Sequence, residues 1–164
     1  MPLGHLWTPI YYKLVQIANA VQSSNLREIS YYRTTSKFVN DVQNGWGDNN
    51  FTSLRVTGVS LGGGIAIITG AITGASTVAI SGPNAMLSRQ TFDPPLTIEQ
   101  LNSRVLNVIP ERDPIANIDD PANLYQTIEC RAPKYDLFGC HSMYRSLCDF
   151  CLWLSGKARF VLVC

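Results

Sequence analysis

The 164-residue sequence predicts an α/β fold: a mostly parallel sheet with flanking helices. Three observations carry this expectation. Short runs of strand-forming residues alternate with helical periodicity in the order strand, helix, strand, helix, strand from Thr52 onward. From Val56 to Ser88 there are 33 residues without a charge or a histidine, interrupted by seven glycines and eight Ser or Thr. That punctuation suits a buried helix followed by a buried strand better than a membrane span. Finally, 46% hydrophobic and 15% charged residues leave ample apolar side chains for one core in a chain of this length.

The elements follow in order. Ile10 to Ser23 places Leu14, Val15, Ala18 and Val21 at helical spacing, with Pro9 just ahead, where a helix can begin. A second helix is expected from Thr34 to Gln43, with Thr35, Phe38, Val39 and Val42 on one face, and residues 44–50 then read as a loop. Thr52 to Thr57 is a short strand, Gly58 to Gly62 a turn, and Gly63 to Thr73 a helix closed by Gly74. The small side chains of that helix suit tight packing on a sheet. Ser76 to Ser81 is a second strand, and Arg104 to Ile109 a third, ended by Pro110. Between them Thr97 to Asn102 is helical, Thr97 and Gln100 standing at capping-box spacing.

Charge excludes one class of function. A formal net charge of +1, with Lys and Arg scattered, gives no electrostatic footprint for nucleic acid. The first residues, Met1 to His5, lack the features of a signal peptide. Cys148 and Cys151 form a single C-x-x-C with neither a second pair nor a His pair nearby, so no metal is expected. Cys130 and Cys140 bracket a short loop and read equally well as a disulfide or as two free buried thiols.

The chemistry concentrates in Gly58-Val59-Ser60-Leu61-Gly62, a G-x-S-x-G motif between an expected strand and an expected helix. In a nucleophile elbow the Ser stands at the apex of that turn, and the following N–H, here that of Leu61, donates to the oxyanion. The order Ser, acid, His leaves one base: of the two histidines, His5 precedes Ser60 and His141 follows it. Eight carboxylates lie between Ser60 and His141. Asp113 is the best placed, four residues beyond the third strand, since sites in α/β sheets lie past the carboxyl ends of strands. Asp119 and Asp120 are the runners-up. A nucleotide site at Gly62-Gly63-Gly64 fails, because neither phosphate-binding glycine motif is present in the right context.

The stretch from Val59 to Pro95, with "NVIPERDPI" and "GCHSMYRSLC", resembles the class 3 (fungal-type) lipases, in particular the branch related to the vacuolar lipase that degrades autophagic bodies. The resemblance runs from about Trp7 to Cys148. It implies an α/β-hydrolase-like domain over residues 1–148, lacking part of the N-terminal half, and a divergent tail over 149–164. It also implies hydrolysis of lipid esters without a cofactor, by Ser60 as nucleophile, Asp113 as acid and His141 as base. The expected partners are a lipid ester substrate and a transient membrane or lipid-droplet surface, with no nucleic acid and no obligate protein partner. The compartment implied is vacuolar, lysosomal or secretory. Two departures stand out: Val59 replaces the His usual before the nucleophile, and no upstream loop reads as the second oxyanion donor. The alternative is an inactive or truncated lipase-like domain that binds lipid or a protein partner.

Overall fold

In the computed structural model, residues 30–46, 52–136 and 138–157 are described. The expected helix over Ile10 to Ser23, His5, and the end of the tail from position 158 lie outside them. Four strands form one sheet in the order β1 (Arg55–Val59), β2 (Ser76–Ile80), β3 (Val105–Pro110), β4 (Tyr125–Ile128), and every pairing is parallel. Helices flank this sheet, so the coarse α/β expectation holds. Helix α1 spans Tyr31–Gln43, α2 Leu61–Thr73, α3 Ile98–Arg104 and α4 Met143–Lys157.

Helix α2 is the crossover between β1 and β2, and packs against both strands and against α1. Its narrow residues let the layers approach closely: a β-carbon on Gly70 would meet the Thr77 side chain, and one on Gly63 would stand 2.8 Å from Gly82 Cα. The main apolar cluster gathers Ile67, Ala71, Ala79, Ala85, Leu96, Leu101 and Val105 from α2, β2, the loop after β2, α3 and β3. Leu96 and Leu101 are fully buried, a burial that contributes about 1.5–3 kcal/mol per side chain. The uncharged stretch Val56–Ser88 is thus the centre of the fold. No helix among the described residues is long and apolar enough to cross a membrane.

Several boundaries move. Strand β1 continues through Val59 and α2 begins at Leu61, so the five-residue turn expected at Gly58–Gly62 contracts to Ser60 alone. Helix α1 starts at Tyr31, and its buried face carries Ser36 and Val39, while Phe38 turns outward to pack edge-on against Trp46 at 5.8 Å. Both halves of the capping box form at α3, Thr97 N–H donating to Gln100 Oε1 (2.7 Å) and Gln100 N–H to Thr97 Oγ1 (3.2 Å). Strand β4 and helix α4 were not anticipated; α4 runs without a break through position 148.

Of the two readings of Cys130 and Cys140, the disulfide is the one formed, with Cα atoms 5.7 Å apart. It lies with Ala132 in a second small buried cluster beyond the end of β4. Cys148 and Cys151 are free thiols on α4.

Candidate active site

Ser60 occupies the single residue between β1 and α2, with φ 55° and ψ −128°, a backbone conformation L-residues rarely adopt. Its surroundings hold it there. The Ser60 N–H donates to Ile80 O at the end of β2 (3.0 Å), and its carbonyl accepts from Gly64 N–H in the first turn of α2 (3.1 Å). A strained position of this kind needs such over-determination, because the conformation costs on the order of 1–3 kcal/mol. The side chain is thereby lifted off the sheet at the carboxyl end of β1, above the N-terminus of α2.

Asp113 lies three residues past β3, on a tight turn closed by its own N–H to Pro110 O (3.2 Å). Its side chain is fully buried. Oδ1 accepts from the N–H groups of Ile115 (2.9 Å) and Ala116 (3.2 Å), which fixes the carboxylate plane. A buried carboxylate requires such partners, since an unpaired one would be excluded from the interior.

His141 closes the short 3-10 helix Gly139–His141, its N–H donating to Phe138 O (2.9 Å). Its Nδ1 stands 3.0 Å from Asp113 Oδ1 and 3.1 Å from Oδ2. A carboxylate only accepts, so Nδ1 carries the proton and Nε2 is left as an acceptor. Nε2 lies 2.7 Å from Ser60 Oγ. Three residues from the ends of three different elements thus form one chain of hydrogen bonds, Ser60 to His141 to Asp113. This is the geometry of a serine-hydrolase triad.

Ahead of Gly64, the amides that open α2, beginning with Leu61 N–H, have no carbonyl one turn back within the helix to bond, and they follow Ser60 directly, where an oxyanion hole would be expected. Leu61 itself is 69% exposed.

The runner-up acids have other tasks. Asp119 is buried, and its carboxylate accepts from Leu87 N–H (2.7 Å), Ser88 N–H (3.1 Å), Ser88 Oγ–H (2.9 Å) and Asp120 N–H (2.6 Å). It holds the chain after β2 in place. Asp120 is exposed. The run Glu111-Arg112-Asp113 resembles a solvated charge cluster in sequence, yet only Glu111 and Arg112 face outward. A buried amide pair also escaped sequence reasoning. Asn107 on β3 donates to Gly82 O and Asn84 Oδ1 (both 2.9 Å), while Asn84 donates to Ala116 O (2.6 Å) and Asp119 O (3.1 Å). The pair ties the loop after β2 to the Asp113 loop; nothing but polarity within an otherwise apolar strand marks it in the sequence. No group of His, Cys, Asp and Glu among the described residues is arranged to hold a metal ion.

No protein-family model matches this chain, and no curated protein is significantly similar to it.

Proposed function

We propose that this chain is a serine carboxylic-ester hydrolase of the class 3 lipase type, with an α/β-hydrolase fold, that cleaves lipid esters through an acyl-enzyme on Ser60. The observation that carries the reading is the 2.7 Å contact of Ser60 Oγ with an imidazole whose other nitrogen is held by a fully buried carboxylate. His141 Nε2 takes the Ser60 proton as Oγ attacks the ester carbonyl, and Asp113 stabilises the imidazolium. Leu61 N–H receives the developing oxyanion. The protonated imidazole then gives its proton to the leaving alcohol. Water, activated by the same nitrogen, releases the acid and restores Ser60.

Lipid esters as the substrate class are supported by the sequence resemblance and by apolar side chains beside triad residues in the chain. Leu61 follows the nucleophile, and Phe138 and Met143 bracket His141; all three are more than half exposed. Intact-mass analysis after a fluorophosphonate probe tests the chemistry. The parent should gain one adduct and Ser60→Ala none. A parent that stays unmodified would overturn the hydrolase reading and favour a binding role. A p-nitrophenyl ester series tests the substrate: kcat/KM should rise with acyl length, and a preference for acetate over long chains would remove the lipid assignment.

A further inference from the structure

Arg112, one residue before the triad acid, is a non-glycine residue with φ 63°. Its guanidinium reaches from the end of β3 to the segment after β4, where Nη2 donates to the carbonyls of both Cys130 and Ala132, each at 2.8 Å. Cys130 is joined to Cys140 by the disulfide, and Cys140 is the residue before His141. The links close on themselves. From Asp113 the path runs along the peptide to Arg112, through its hydrogen bonds to Cys130, across the disulfide to Cys140, along the peptide to His141, and back through Nδ1 to Asp113.

We propose that Arg112 is a positioning residue which, with the Cys130–Cys140 disulfide, forms a ring that sets the separation of Asp113 and His141. Three features support it. The guanidinium presents two acceptors with donors from one nitrogen, a fixed fork rather than a loose contact. The left-handed backbone at Arg112 directs its side chain toward β4 while the next side chain turns into the interior, a conformation that persists only where the surroundings over-determine it. The acid and the base stand on different loops, β3–β4 and β4–α4, and the ring ties those loops together beside the Asp113–His141 contact itself. The Arg112 side chain bonds these two backbone carbonyls, so it acts through the loops that carry Asp113 and His141.

The proposal rests on the hydrolase reading for its kinetic consequence but not for its structural one, so two readouts separate the failures. The first is the downfield proton NMR signal of His141 Nδ1–H, which requires no substrate. The second is turnover of a p-nitrophenyl ester. Arg112→Met and Arg112→Lys both keep a β-carbon at the left-handed position, so their backbones carry the same conformational cost as the parent. Arg112→Met should lose or broaden the Nδ1–H signal and lower kcat on the order of 10- to 100-fold with KM little changed, the size expected for a small misplacement of reacting groups. Arg112→Lys, which can still donate to both carbonyls, should recover much of each. Opening the ring at a second point should add little: Cys130→Ala/Cys140→Ala combined with Arg112→Met should cost about as much as the worse of the two, not their product.

Multiplicative losses would overturn the ring. So would an Arg112→Met variant that keeps the signal and the parent kcat, or one that loses activity only in step with its folded fraction. If the cysteine variant does not fold, the comparison of Met with Lys at position 112 decides alone. A parent that shows the Nδ1–H signal, loses it in Arg112→Met and turns over no ester would retain the ring and remove the proposed activity.

Discussion

A β-carbon on Gly58 would run into the carbonyl oxygen of Gly62, whereas one on Gly62 would meet nothing within 4 Å. The two glycines of the G-x-S-x-G motif are symmetric about Ser60 in sequence and inequivalent in space. Gly58 is where the helix start folds back over the strand; Gly62 sits at the open end of α2. Gly58→Ala therefore cannot be accommodated without moving the backbone that presents Ser60. It should abolish labelling by a fluorophosphonate and lower the melting temperature. Gly62→Ala should label at a rate within several-fold of the parent and gain stability, by up to about 1 kcal/mol, since Ala outranks Gly in a helix. Chemical denaturation and labelling rates on the two variants check both halves.

Asp113→Asn tests whether the carboxylate fixes the imidazole tautomer. Asn can keep an oxygen toward the Ile115 and Ala116 N–H groups, which Asp113 Oδ1 serves at 2.9 and 3.2 Å, so the loop should survive. The amide NH2 would then face His141 Nδ1 and require it to accept, which puts the proton on Nε2 and leaves Ser60 without a base. A loss of about 10³- to 10⁴-fold in kcat is expected, with the melting temperature little changed. A loss under tenfold would mean that Asp113 orients nothing.

Ser60 and His141 were legible because one had a local signature and the other no rival: a motif at a strand–helix junction for Ser60, and a single downstream histidine at position 141. Asp113 was legible only through the rule that sites gather past strand ends. The same rule would have admitted Asp119, and only the fold distinguishes them: four donors from the 87–88 segment and Asp120 consume the Asp119 carboxylate. Strand β4 was missed because YQTI is four residues long and gains its ladder from β3, a tertiary partner that no local pattern announces. The contraction of the turn to Ser60 was missed for a related reason. Gly58 and Gly62 read as turn residues by propensity, and it is the pairing of Gly58 and Val59 with Ala79 and Ile80 of β2 that carries the strand up to Ser60.

The amide pair Asn84–Asn107 should behave as one unit. Either alanine substitution strands buried acceptors: Ala116 O and Asp119 O when Asn84 is lost, Gly82 O and Asn84 Oδ1 when Asn107 is lost. Each should cost about 1–3 kcal/mol in chemical denaturation, the penalty for an unpaired buried polar group. The double variant should cost less than the sum, because the bond between the two side chains can be lost only once. Strict additivity would show that the two amides act independently.

Asp119 offers the contrast that separates holding the fold from doing chemistry. Its carboxylate gathers donors from Leu87, Ser88 and Asp120 and makes no contact with His141, whereas that of Asp113 receives the imidazole. Asp119→Ala removes a charged acceptor from several buried or half-buried donors, and the loss should be about 3 kcal/mol. In a domain of this size that lowers the melting temperature by roughly 6–12 °C. Below the new transition, the folded fraction should still take up one fluorophosphonate per chain at a rate within a few-fold of the parent. If Asp119→Ala instead abolished labelling of a fully folded protein, while Asp113→Asn did not, the acid would have been assigned to the wrong turn.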